Sequence, residues 1–278
     1  MARKKKKQSQ GVYYLILFIC IVCLAYEPVA KILSDARQKS STPAKIELTA
    51  GMRLEIPAKL KNVSEQILQR KGYTVSYNKD LKIPNWVAWE LTPEKLVERE
   101  SRTDKFLPDP DLPEHEAVTT DDYKGAGMDR GHMCPAGDNR WHWKAMQESF
   151  YMTNICPQNH NLNRGDWKEL EESCRQWAQK EGKIHIVCGP VFYKQKHRTI
   201  GKEHRITVPE AFFKVLLSMK GTPKAIGFIY KNASGNHPLD SYVNSVDEVE
   251  RITGIDFFPA LPDDMEKKVE AKYDLKQW

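Results

Sequence analysis

Two stretches of this 278-residue chain hold side chains that could do chemistry. The first, GMDRGHMCPAGDNRW from Gly127 to Trp141, sets an acid, a fixed cation and a titratable base within four positions as Asp129, Arg130 and His132. A neutral imidazole can take a proton near neutral pH, and a guanidinium can pair with a phosphate through two hydrogen bonds. Gly131 between them permits the close backbone approach that a phosphate needs. A tetrapeptide of this kind alone fits a solvated loop better. The second stretch, FYMTNICPQNHNLNRGDWKELEE from Phe150 to Glu172, offers Asn163 and Glu171. Asn163 stands at the start of a predicted helix, where its bland role is an N-cap. On a helical wheel Glu171 lies about 20° outside the apolar arc, so it borders the packed interior as a core-edge ion pair or as part of a site. Along one helix the two residues are about 12 Å apart, too far to share one metal's inner shell easily, so contact through water is expected.

The elements that must position these residues are legible in outline. From Arg164 to Lys180, Trp167, Leu170, Cys174, Trp177 and Ala178 fall within an arc of about 100°, which predicts an amphipathic helix. A second helix is expected from Ser245, with Val246, Val249 and Ile252 on one face and Gly254 as its stop. Apolar runs at 86–91, 184–188, 212–217 and 225–230 read as strands on both sides of the motif region. The expectation is an α+β domain over 61–278 with a mixed central sheet.

The net charge of +6 suggests a nucleic-acid partner, but residues 1–33 hold six Lys/Arg and one Glu, which leaves 37 basic against 36 acidic residues beyond. A nucleic-acid partner would therefore need a local basic site. Composition excludes a disordered polar chain and a multi-span membrane protein.

Val12 to Tyr26 is an unbroken apolar run, preceded by Arg3 and Lys4 to Lys7, with no charge between Lys7 and Glu27. Those 19 uncharged positions reach ~28 Å as a helix, close to the ~30 Å hydrocarbon core. The basic cluster should stay in the cytoplasm and the chain beyond Tyr26 should be exported. The run reads either as a retained transmembrane anchor or as a signal helix cleaved after Ala25, giving a secreted or periplasmic protein. Residues 34–60 read as a tether.

Of six cysteines, Cys20 and Cys23 lie in the apolar run. Cys174 and Cys188 read as buried thiols, and Cys134 with Cys156 is the better disulfide candidate. An alternative groups His132, Cys134, Cys156 and His160 as a structural zinc site in a nucleic-acid-binding module.

DRGHM at Asp129 to Met133, TNICPQ at Thr153 to Gln158, LNRGDWKELE at Leu162 to Glu171, VCGPVF at Val187 to Phe192 and SVDEVERITGIDFFPAL at Ser245 to Leu261 together resemble, in order, the blocks of the DNA/RNA non-specific endonucleases. That family belongs to the ββα-metal superfamily and includes endonuclease G and secreted bacterial nucleases. The resemblance implies a ββα-metal finger around His132 and the helix after Asn163, with His132 as general base. It implies that Asn163 binds a single divalent cation, Mg²⁺ with Mn²⁺ as a substitute, and that Glu171 holds metal waters. Arg130 would contact the phosphodiester, and Arg102 in SRTDKFLPDP matches a looser upstream block. The implied substrates are DNA and RNA, and pairing into a homodimer stays open. MCPAGDN after the histidine departs from many relatives, which leaves the role of Cys134 open. A catalytically inactive nuclease fold tethered to a membrane is the remaining alternative, although all the matching site residues are present.

Overall fold

The apolar runs around Trp86, Ile186, Phe213 and Ile226 become neighbouring strands of one sheet in the computed structural model, which describes residues 51–278. In chain order the strands are β1 (Gln66–Gln69), β2 (Thr74–Asn78), β3 (Ile83–Leu91), β4 (Asp129–His132), β5 (Ile155–Gln158), β6 (Ile184–Val191), β7 (Thr199–Ile200), β8 (Ile206–Thr207), β9 (Ala211–Ser218), β10 (Lys224–Lys231) and β11 (Val243–Asn244). Seven of them form the main sheet in the order β1-β2-β3-β6-β9-β10-β11. Every pairing in it is antiparallel, which corrects the mixed sheet expected from sequence. The reason is that apolar runs show where a strand lies and say nothing of its direction.

Residues on β6 and β9 are buried throughout, without the polar alternation of a one-sided sheet. Helices cover both faces. Phe212 meets Trp167 at 5.7 Å on one side, and its neighbour Phe213 meets Phe257 at 5.3 Å on the other, so the domain has three layers. The first outer layer is the helix Asp166–Glu181, whose Trp167, Leu170, Cys174, Trp177 and Ala178 are all buried as its periodicity predicts. Gly182, at φ 79°, ends it in a conformation that glycine adopts without strain. The helix Val246–Thr253 starts at Ser245, whose hydroxyl accepts from the Glu248 amide at 3.2 Å, and stops at left-handed Gly254.

The compact unit begins at Arg53, not at residue 61. Leu54 and Glu55 are 3% and 2% exposed, and Glu55 pairs with Arg53 and His185, so the last part of the expected tether is packed against the domain. The apolar run 12–26 and residues 34–50 lie outside the described residues. Among the described residues no helix is long and apolar enough to cross a membrane.

Candidate active site

His132 ends β4, which pairs antiparallel with β5: Asp129 stands opposite Gln158 and His132 opposite Ile155. This two-stranded sheet leads into the short helix His160–Arg164 and then the helix Asp166–Glu181, a β-β-α unit. The chain brings His132, Arg130, Asn163, Glu171 and Arg102 together on one cavity of about 740 Å³.

Aromatic rings wedge the imidazole in place. Phe150 meets His132 edge-on at 4.7 Å, and Phe106 lies 5.3 Å away. His132 is 9% exposed, and its Nε2 is buried without a hydrogen-bond partner. Burial pushes its pKa from the usual 6.5 down to about 3, with Arg102 and Arg130 adding to the fall. The imidazole is therefore held in its neutral, proton-accepting form.

Asn163 is held by its own neighbours. Its Nδ2 donates to Asp129 Oδ2 at 2.9 Å. A carboxylate can only accept, so this bond fixes which way the amide faces and turns Oδ1 away from Asp129. The other Asp129 oxygen lies 3.1 Å from His160 Nδ1. Burial alone would raise the Asp129 carboxyl, but the Asn163 and His160 bonds overcome it and hold the group below the usual carboxylate range. Asn163 is not a cap. The cap of the short helix is Asn159, which accepts from the Asn161 and Leu162 amides, and Gly165 separates that helix from the next. The break at Gly165 also removes the single-helix spacing between Asn163 and Glu171.

Glu171 is half-buried in the cavity wall. Burial raises its carboxyl to about 7, although nearby Lys214 pulls it down. Arg130 stacks its guanidinium 4.3 Å from the Phe106 ring. Arg102 donates to Asp104 at 3.2 Å and lies 5.3 Å from the Phe150 ring. Gly131 has a different reason from the one read in sequence. A Cβ there would fall 2.1 Å from Gln158 Oε1, so the glycine admits the Gln158 side chain, which reaches over from its place opposite Asp129 on β5.

Several contributors escaped the sequence reading. Lys124, Arg164, Lys168 and Arg175 join Arg102 and Arg130, so six cationic side chains line the cavity against Asp129 and Glu171. This is the local basic site that the overall charge failed to show. Arg175 is anchored by buried Asp138 at 3.2 Å, which also accepts from Trp89 Nε1. Lys214 is fully buried with its ammonium 4.4 Å from the Trp167 ring. It was visible as the one charge in AFFKVLLS, but its neighbours were not.

Other sequence expectations are corrected. Cys134 and Cys156 are buried free thiols, as are Cys174 and Cys188. Cys134 serves the core: its amide donates to Asn154 Oδ1 and its sulfur accepts from Asn139. The zinc grouping fails because His160 turns out to Asp129, and His132, Cys134, Cys156 and His160 do not converge. Among the described residues, the clusters of His, Cys, Asp and Glu able to hold a metal are Glu55, Glu90 and His185, and Asp247, Glu250 and Glu270.

A β-β-α unit backed by a large antiparallel sheet, with a cation-lined cavity, defines an α+β protein shaped to receive a polyanion. The chain belongs to the DNA/RNA non-specific endonuclease family, whose model matches residues 53–264. It is similar to "Nuclease EXOG, mitochondrial" of Danio rerio, 37% identical over 206 residues, 68% of this chain and 60% of that relative. "Endonuclease G, mitochondrial" of Homo sapiens is 31% identical over 70% of each chain. "Nuclease" of Nostoc sp. is 30% identical over 88% of this chain and 95% of its own. The match to the Danio rerio protein thus spans less than two thirds of that relative's length. A solved structure described as the EndoG/EndoGI complex shares the fold, with a TM-score of 0.69 at 24% identity over 80% of this chain and 95% of that one.

Proposed function

We propose that this protein is a metal-dependent endonuclease that hydrolyses phosphodiester bonds of DNA and RNA with little base specificity. The carrying observation is the convergence of His132, Asn163, Glu171, Arg130 and Arg102 on one cation-lined cavity. The donors fit a hard cation: an amide oxygen freed by the Asn163 to Asp129 bond and a carboxylate at Glu171 supply oxygen only, which suits Mg²⁺ with Mn²⁺ as a substitute. When bound, the cation relieves negative charge on the phosphoryl group and the leaving oxygen. Asn163 would hold it directly and Glu171 through water.

His132 would take the proton of the attacking water. Its Nε2 is sealed in protein, so we assign Nδ1 as the accepting atom. Arg130 and Arg102 would hold the phosphate oxygens, their guanidinium planes steadied by Phe106 and Phe150. Cations that meet a phosphate backbone carry no sequence information, which accounts for the broad substrate range. Asn163→Ala tests the assignment. Since the side chain caps nothing, the variant should fold, yet lose Mg²⁺-dependent cleavage. Unchanged turnover at saturating Mg²⁺ would remove Asn163 from the metal site.

We also infer that residues 12–26 carry the domain across a membrane and either anchor it there or are cleaved away. Support comes from the basic cluster beside an uncharged apolar run. A reporter fused after Leu60 should be active only on the far side; activity in the cytoplasm would contradict the inference.

A further inference from the structure

We propose that Asp247, Glu250 and Glu270 bind a calcium ion that clamps the helix Asp263–Glu270 to the helix Val246–Thr253. One ligand oxygen from each of the three carboxylates lies within 4.8 Å of the other two. A single centre can then sit about 2.8 Å or less from all three, close to the ~2.3–2.6 Å of calcium–oxygen bonds.

Glu270 points to a ligand independently of this clustering. It is 5% exposed, faces the other two acids, and leaves Oε1 buried with no hydrogen-bond partner. It also sits in the last turn of its helix, where the backbone dipole disfavours an anion. Asp256 and Glu266 add further negative potential to Glu270. Arg251, the one cation among the described residues that lines the adjoining hollow, is committed to Glu248 at 2.7 Å. A buried carboxylate facing two more, with no cation paired to it among the described residues, is a place where a counterion from solution relieves the repulsion.

The donors are all oxygen, and bidentate carboxylates could supply up to six, which favours calcium over the smaller, more strongly hydrated Mg²⁺. Glu250 is pre-set, since it accepts from the Phe257 amide at 2.7 Å. Asp247 is exposed, and the hollow of about 450 Å³ beside it gives the ion a way in. None of these residues lines the active-site cavity, and Glu270 lies beyond the stretch matched by the family model, so this site is separate from the nuclease metal. It does not depend on the nuclease reading.

The test uses the full chain carrying Asn163→Ala, to silence the active-site cation, and follows equilibrium dialysis and thermal unfolding in EDTA and in about 1 mM calcium. One calcium should bind per chain and raise Tm by about 3–6 °C. Adding Glu270→Gln should abolish both effects, while its Tm in EDTA stays close to the parent's because the amide keeps the carboxyl's shape. Asp247→Asn, at an exposed position that folding tolerates, should weaken binding at least about tenfold. No bound calcium in the parent, or an equal Tm rise in Glu270→Gln, would overturn the proposal.

Discussion

Burial acts in opposite directions on His132 and Glu171, which both line the cavity. It keeps His132 neutral down to about 3 and keeps Glu171 protonated up to about 7. In the proposed mechanism the acid limb of activity therefore belongs to Glu171. Below about 7 a proton competes with the cation, so apparent Mg²⁺ affinity should fall by up to about tenfold per pH unit. Titrating activity against Mg²⁺ at several pH values checks this, and Glu171→Gln should flatten the dependence. The same group sets a stability trend. A carboxyl raised on folding stabilises fully below its unfolded value, and that stability is lost as pH rises through about 7. In EDTA, Glu171→Gln should thus gain Tm relative to the parent as pH rises from about 5 to 8; a constant difference would argue against a raised Glu171. In the proposed site Asp129 acts through Asn163, whose Nδ2 donates to it. Asp129→Asn leaves an amide that no longer fixes its partner's orientation, and should cost about 10–100-fold in Mg²⁺ affinity.

The helix Asp166–Glu181 and the β4–β5 pair hold these side chains by ordinary packing. Leu170 is fully buried, one residue before Glu171, so Leu170→Ala should cost about 2–5 kcal/mol in denaturant unfolding. Gly131→Ala should separate β4 from β5 and depress activity even where the protein folds, because the new methyl meets Gln158. The long helix was legible because five apolar residues on one stripe leave no other reading, and Ser245 and Gly254 marked the next helix by capping chemistry. Asn159, Asn161 and Asn163 could not be told apart by spacing, and only the fold shows that the first caps and the third faces the cavity. Antiparallel direction, the free state of Cys134 and Cys156, and the packing of Gly131 against Gln158 all depend on partners distant in sequence. No local pattern carries them.

Across the whole molecule, near-neutral charge beyond residue 33 hides a concentrated field: six cations around two acids in one cavity. Binding of nucleic acid by the cleavage-deficient Asn163→Ala protein should weaken steeply with salt, with a slope of log K against log salt near −3 to −5 for about four to six phosphates neutralised. Removing Lys124 or Lys168 should reduce that slope by about one each, measured by fluorescence anisotropy. His132, Arg130, Asn163, Glu171 and Arg102 could be singled out because they stand in ordered motifs, whereas Lys124, Arg164, Lys168 and Arg175 were four cations among many until the fold gathered them. The most direct measurement is cleavage of supercoiled plasmid and of RNA by the full chain and by His132→Ala, each in Mg²⁺ and in EDTA. The parent should nick both substrates only with the cation, and His132→Ala should be slower by about 10²–10⁴ with Mg²⁺ affinity little changed. A folded parent that cuts equally well in EDTA, or a folded His132→Ala that matches its rate, would contradict the account.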